Sequence, residues 1–289
     1  MEAKPLIVIV GPTASGKTAL AIELAKQFNG EIICADSRTV YRRMDIGTAK
    51  PTKKEQSEVP HWGIDIVNPD QRFTAADFKA YAEQKIIEIR SRGHVPFLVG
   101  GSGLYVDAVI FDYKFGDIAD VDFRRKLNSM TVDELQNYCN INNIPLPENY
   151  KNQRYLVRTI ELNGVRPKRE NHPIDNIIVV GISTDKIKLR KKIEQRATEM
   201  IQGGVIDEAK KLAETYGWND EAMSGNVYPL CRSYLENELS IDELRQKFVV
   251  QDWRLVKRQL TWFRRNEFIK WLSVDEAKKY IVSLLDSEH

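Results

Sequence analysis

The sequence predicts an α/β fold, a doubly wound parallel sheet into which a small helical domain is inserted. Three observations lead there. Short apolar runs rich in β-branched residues occur at Leu6–Val10, 31–35, 95–99 and Ile177–Ile182, each closing on glycine or polar residues, as buried parallel strands close on turns that hold ligands. Stretches of helical periodicity separate these runs. After about Phe115 the strand signal stops until Ile177, and the chain reads as helical pieces joined by Asn- and Pro-rich turns.

The first run ends at Gly11, and Gly11-Pro12-Thr13-Ala14-Ser15-Gly16-Lys17-Thr18 fits G-x-x-x-x-G-K-[ST] before a helix begun by Ala19, Leu20, Ile22, Leu24 and Ala25. Strand, glycine loop and helix in that order make the sheet P-loop NTPase-like. The glycines let backbone N–H groups curl around phosphate oxygens, and the helix N-terminus adds positive potential. Lys17 supplies a point charge, and the Thr18 hydroxyl offers a ligand to Mg²⁺. A glycine turn that holds nothing is the plainer alternative, disfavoured by the context. Which polyphosphate the loop binds stays open at this point.

Asp36 follows the second run in Ala35-Asp36-Ser37-Arg38, where a carboxylate faces whatever the loop holds. It reads as a general base or metal ligand, or as a turn cap, the commoner use of a lone Asp at a strand end. Helical periodicity over 78–92 leads into the run at 95–99. Gly100-Gly101-Ser102-Gly103 after it offers backbone and hydroxyl donors to the same crevice, or is simply a tight turn. The insertion, placed at 117–173, holds helical pieces at 122–127, 132–139 and 155–162, which leaves 1–116 with 174–289 as the core. A long charged helix over 187–216, interrupted at Gly203-Gly204, follows the last strand run. The final long helix, 241–265, sets Val249, Trp253, Val256, Leu260 and Phe263 on one face. Arg254, Lys257, Arg258, Thr261, Arg264 and Arg265 share the other.

With 42% hydrophobic and 29% charged residues in 289, the chain has the ordinary balance of a globular protein, not of a disordered segment. The net charge of +2 says little, but between Arg245 and Lys270 eight basic residues face two acids, so the positive charge is concentrated. Beside Trp253 and Trp262, that surface suits RNA phosphates and base stacking, or else is a solvated helix face. Cys34, Cys139 and Cys231 lie far apart with no CxxC spacing, and the histidines show no ligand spacing. This excludes a disulfide framework or zinc cluster and points to buried free thiols. The opening apolar run is too short for a signal-peptide core or a membrane span, so a cytoplasmic protein is expected.

Several segments together resemble one family, the tRNA dimethylallyltransferases, also called tRNA isopentenyltransferases. They are GPTASGKT, Asp36-Ser37-Arg38-Thr39-Val40-Tyr41, Met44-Asp45-Ile46-Gly47-Thr48-Ala49-Lys50-Pro51, Phe73 to Phe78, Leu98 to Tyr105, Asn152 to Arg158 with Glu161, Lys192 to Arg196, and Lys257-Arg258-Gln259-Leu260-Thr261-Trp262-Phe263-Arg264. Ordinary P-loop kinases have nothing like MDIGTAKP. The resemblance implies that Asp36 is the base acting on an adenine amine, that Lys17, Arg196, Thr13 and Thr18 serve the pyrophosphate of the donor with Mg²⁺, and that the loop binds dimethylallyl pyrophosphate, not ATP. It implies tRNA contacts at Asp36, Ser37, Arg38, Thr39, Ser102, Arg124, Arg154, Arg158, Lys257, Arg258, Gln259, Thr261, Trp262 and Arg264. The sequence departs from the pattern at Ser102, where the family usually has Thr, and over 223–230, MSGNVYPL in place of a glycine-tyrosine-basic stretch. The short insertion and the lack of a zinc-finger tail fit the bacterial type, acting as a monomer on the anticodon stem-loop. A small-molecule kinase, a prenyltransferase of free adenine nucleotides and an RNA-binding protein without catalysis are the rival readings. The long basic helix argues against the first two, and Lys17, Thr18, Asp36 and Arg196 against the third.

Overall fold

The computed structural model describes residues 4–116, 120–165, 168–225 and 227–287, and only the backbone of Val121. The expected start of the insertion at Asp117, and Asn226 within the departing segment, lie outside the described residues. In chain order the elements are β1 (Leu6–Val10), α1 (Lys17–Gln27), β2 (Gly30–Ala35), α2 (Lys53–Glu58), β3 (His61–Trp62), α3 (Ala75–Ser91), β4 (Val95–Gly100), α4 (Gly103–Ile110), α5 (Val121–Asn128), α6 (Val132–Ile141), α7 (Gln153–Glu161), β5 (Ile177–Ile182), α8 (Lys186–Gln202), α9 (Val205–Tyr216), α10 (Tyr228–Leu235), α11 (Ile241–Phe263), β6 (Lys270–Leu272) and α12 (Val274–Asp286). The chain divides into two compact units, Met1–Ile110 with Pro173–His289, and Phe111–His172.

The first unit is a six-stranded sheet in the order β3-β2-β4-β1-β5-β6, parallel throughout. β1, β2 and β4 are buried along their whole length, which is why they read as unbroken apolar runs, not as alternations. The chain leaves β1 toward β2 and crosses after β4 to β5 on the other flank. Strand order thus reverses at β1, and a crevice opens at the carboxyl ends of the strands there. One core layer joins the sheet to α1 and α12 through Leu20, Leu24, Ala277, Ile281 and Leu285. Another packs α8 on α11 through Leu189, Ile193 and Val256. Among the described residues no helix is long and apolar enough to cross a membrane.

At the amino ends of the strands, Glu31 is 2% exposed. Its carboxylate accepts hydrogen bonds from Trp62 Nε1 (2.6 Å), Arg92 Nε (3.0 Å) and Nη2 (2.9 Å), and pairs with His94 Nδ1 (2.7 Å). Burial pushes its pKa up, and the bonds from Trp62, His94 and Arg92 together more than reverse this, leaving it below the usual carboxylate value.

The second unit has its own core, in which Leu127, Leu135, Cys139, Leu156, Val157 and Ile160 join α5, α6 and α7. Thr131 starts α6 with a capping box to Glu134. All three cysteines are buried free thiols, and desolvation raises Cys34 and Cys231 to about 12.

Several elements lie outside the sequence expectation. The 187–216 stretch is two helices, α8 and α9, divided at Gly203-Gly204 as expected, but α11 is followed by β6 and α12, which the sequence reading did not include. α12 carries a plain signal, the capping box Ser273 to Glu276, ahead of Ala277, Ile281 and Leu285 on its buried face. β3 and β6, at two and three residues, are too short to show any periodicity.

Candidate active site

Three strands deliver the crevice: β1 leads into the glycine loop, β2 into Asp36, and β4 ends at Gly100. Gly16 has φ +96, a left-handed conformation that glycine adopts without steric cost. It turns the loop into α1, whose N-terminus has no side-chain cap and so presents unpaired amides. Ser15 Oγ is buried without a partner. Lys17 Nζ donates to Pro12 O at 2.8 Å. Desolvation lowers its pKa from 10.5 to about 8, with Asp36 pulling it up and Arg196 pushing it further down. Asp36, Lys17 and Arg196 therefore share one electrostatic neighbourhood, and buried donors left over in it call for an anion.

Arg196 reaches this neighbourhood from α8. It donates through Nη1 to Thr13 Oγ1, while its Nε, 3.8 Å from Asp252 Oδ2, is buried without a hydrogen-bond partner. Thr18, in the first turn of α1, is exposed. Among the described residues no group of three or more His, Cys, Asp or Glu could hold a metal. A single hydroxyl suits Mg²⁺ that arrives on substrate phosphates and keeps several waters.

Asp36 is half-buried, and its Oδ1 accepts the Arg38 N–H at 2.8 Å. The turn-cap role is therefore real and coexists with the position facing Lys17. Ser37 N–H donates to Ser102 Oγ at 2.9 Å, tying the end of β2 to the end of β4. The Arg38 guanidinium binds the carbonyls of Glu221 (2.9 Å) and Ala222 (3.4 Å). Thr39, expected at the RNA, is instead buried, with its hydroxyl 3.4 Å from Asp36 O.

Helix α11 exposes Arg254, Lys257, Arg258 and Thr261, and the turn after it exposes Arg264 and Arg265, as the sequence arranged them. Its buried edge is rotated from the expected stripe. Leu244, Phe248, Asp252, Val256, Gln259 and Phe263 are buried, and Val249, Trp253 and Leu260 flank them half-buried. Two expected RNA residues consequently turn away from solvent. Gln259 is buried, and Trp262 is half-buried with Nε1 donating to Asp107 Oδ2 at 2.8 Å. The glycine pattern after β4 answers to them: a Cβ on Gly101 would lie 2.3 Å from Gln259 Nε2, and one on Gly103 2.2 Å from Trp262 Cδ1. Those glycines admit α11, where the sequence alone suggested loop donors or a tight turn. Arg254 and Arg258 line a pocket of about 240 Å³ with Ser224, Gly225, Pro229 and Gln251, which brings part of the departing segment beside the basic face.

The MDIGTAKP stretch is held from within. Glu208 of α9 accepts N–H bonds from Asp45 (2.8 Å), Ile46 (2.7 Å) and Gly47 (2.9 Å), and the Tyr228 O–H at 2.8 Å. Buried Lys50 donates to Tyr41 O, Asp45 and Asp65. With Arg196 and Met200, the stretch walls a cavity of about 460 Å³. No sequence signal singled out Glu208, because its ligands are backbone amides.

In the second unit the expected RNA residues Arg124 and Arg158 both bind Glu161, whose side chain is wholly buried. Arg124 Nη1 reaches its oxygens at 2.8 and 2.9 Å, and Arg158 Nη1 at 3.2 Å. Arg154 is exposed at the start of α7.

Residues 39–266 match the family model described as IPP transferase, and residues 4–66 one described as isopentenyl transferase. The tRNA dimethylallyltransferase of Acetivibrio thermocellus is 40% identical over 94% of this chain and 92% of its own length. That of Halalkalibacterium halodurans is 38% identical over 94% and 92%. A full-length tRNA isopentenylpyrophosphate transferase from Bacillus halodurans superposes with a TM-score of 0.75 at 36% identity, covering 99% of this chain and 98% of that one. A eukaryotic dimethylallyltransferase acting on tRNA shares the fold at a TM-score of 0.80 and 20% identity, over 94% of this chain and 74% of that one.

Proposed function

The chain belongs to the IPP transferase family, and on that premise we propose that it transfers a dimethylallyl group from dimethylallyl pyrophosphate to N6 of the adenosine 3′-adjacent to the anticodon, position 37 of tRNA, giving N6-isopentenyladenosine. It is an enzyme, a tRNA-modifying prenyltransferase. The observation that carries the finer reading is the convergence of Lys17, Arg196 and Asp36 on an uncapped amide loop.

The pyrophosphate occupies the loop amides, with Lys17 and Arg196 as counter-charges. The anion restores the pKa of Lys17 and keeps it protonated. As the allylic C–O bond breaks, negative charge grows on the leaving pyrophosphate, and these groups stabilise it. The adenine is swung out of the anticodon loop, its N6 forms the new C–N bond, and Asp36 takes the N6 proton. The Thr18 hydroxyl would help hold Mg²⁺, which would supply further charge neutralisation when bound. Lys257, Arg258, Thr261 and Arg264 of α11, with Arg38 and Ser102, contact the RNA. Arg124, Arg154 and Arg158 give the second unit its share. One chain carries every group this reading uses, so a monomer suffices, and its place is the cytoplasm.

Incubation with tRNA and labelled dimethylallyl pyrophosphate tests the reaction, with calorimetric titration of that donor and of ATP beside it. Label incorporated at one adenosine and donor binding tighter than ATP are expected. Tight ATP binding with hydrolysis and no transfer to RNA would favour a kinase.

A further inference from the structure

We propose that Gln259 is a positioning residue of the donor site, one that holds the phosphate loop and the Gly101 turn at a fixed separation, and that it does not contact RNA. The proposal rests on the prenyl-transfer reading above. Gln259 sits on the basic helix between Arg258 and Thr261, yet it is only 8% exposed. Its carboxamide spans two loops: Oε1 accepts the Thr13 N–H at 2.9 Å, and Nε2 donates to Gly101 O at 3.2 Å. A carboxamide carries an acceptor and donors on one carbon, so it satisfies a backbone N–H of one loop and a backbone carbonyl of the other at once. A carboxylate of the same length could serve only the first.

The surroundings are built around that side chain. Gly101 leaves it room, since a Cβ there would meet Nε2 at 2.3 Å. Two turns back along the same buried edge, Asp252 stands 3.8 Å from Arg196 Nε, and Arg196 donates to Thr13 Oγ1. Thr13 is thus fixed through its backbone by Gln259 and through its hydroxyl by Arg196. Next to Gly101, Ser102 Oγ accepts the N–H of Ser37, the neighbour of Asp36. Gln259 therefore stands where the donor-binding loop meets the strand end that carries the base, and it sets the distance between them. Misplacement by about 1 Å is enough to cost two orders of magnitude in rate.

Gln259→Met keeps the length of the side chain and removes both hydrogen bonds. Affinities for inorganic pyrophosphate, dimethylallyl pyrophosphate and tRNA, the salt dependence of tRNA binding, KM for each substrate and melting temperature would be measured. Leaving a buried N–H and a buried carbonyl unpaired should weaken pyrophosphate and donor binding roughly tenfold or more. The donor KM should rise with it, while tRNA affinity, its salt slope and the tRNA KM stay within about twofold. Loss of tRNA affinity with donor affinity intact would overturn the proposal and make Gln259 an RNA contact, as would donor binding unchanged in the folded variant. Gly101→Ala supplies an independent route, because its Cβ displaces the amide without altering the outer face of α11. It should reproduce the donor defect, and Gly101→Ala combined with Gln259→Ala should lose less than the two single changes summed. Strictly additive losses would count against a shared mechanism and so against the proposal. A wild-type protein that bound neither pyrophosphate nor donor would sink the prenyl-transfer reading and this assignment together.

Discussion

The two ends of the sheet treat buried charge in opposite ways. At the amino ends Glu31 is saturated by Trp62, Arg92 and His94. At the carboxyl ends Ser15 Oγ and Arg196 Nε are buried without hydrogen bonds, and Lys17 is held near pKa 8. Each cluster balances differently: the first is complete by itself, and the second keeps bonding capacity that the proposed pyrophosphate would use. A buried polar group marks a site only when its bonding capacity is unspent.

The largest effect that tests this contrast is at Asp36. Asp36→Ala should slow single-turnover transfer by roughly 10²–10⁴, the span of a positioned general base, while tRNA still binds. A rate within a few-fold of wild type would leave Asp36 with only its cap to Arg38. At the other end, Glu31→Gln should cost about 1–3 kcal/mol of stability by removing the charge and turning one of two acceptor oxygens into an NH₂ that faces donors, and should leave pyrophosphate affinity alone. Denaturant unfolding beside calorimetry reads both, and a donor defect without destabilisation would erase the distinction between the ends. Because the pKa of Glu31 is depressed, its share of stability is present above the usual carboxylate range and lost as pH falls through its folded pKa.

Lys17 has the same sign in a higher pH window. Free protein should shed its proton near pH 8 while an unfolded chain holds it to about 10.5, so stability from this group rises with pH across that window. Pyrophosphate binding needs the charge and should weaken above pH 8 by up to about tenfold per unit. Pyrophosphate affinity that stays flat from pH 7 to 9.5 would deny Lys17 that role. The smallest effect expected is on the solvated face of α11. Lys257→Ala with Arg258→Ala should lower the log–log salt slope of tRNA binding by somewhat less than one unit per contact. Melting temperature and donor affinity should hold, since both residues are exposed. An unchanged slope would put the RNA elsewhere.

Much of this was legible in the sequence, and apart from α12, whose local signal the reading passed over, the misses share a cause. Strands buried on both faces and a loop fixed by Gly16 write themselves locally, as apolar runs and as a spacing. The capping box of α12 was equally local. What stayed hidden depends on residues distant in sequence. The buried edge of α11 includes Asp252 and Gln259 because Arg196 and the P-loop, far earlier in the chain, accept them there, and an apolar-stripe reading skips such positions. Thr39 likewise reads as a surface hydroxyl until the turn at Asp36 folds over it. Gly101 and Gly103 looked like loop chemistry, yet their small size answers to Gln259 and Trp262 on another helix.

The Glu208 carboxylate has one more consequence. Three successive amides converging on an oxyanion make a receptor, and here the guest is part of the host. A tethered anion competes at an effective concentration of order mM, and it never diffuses away. The amides of 45–47 are therefore already filled when a phosphate arrives. On the function proposed above, that occupancy leaves the P-loop, beside Asp36, as the place for a diphosphate.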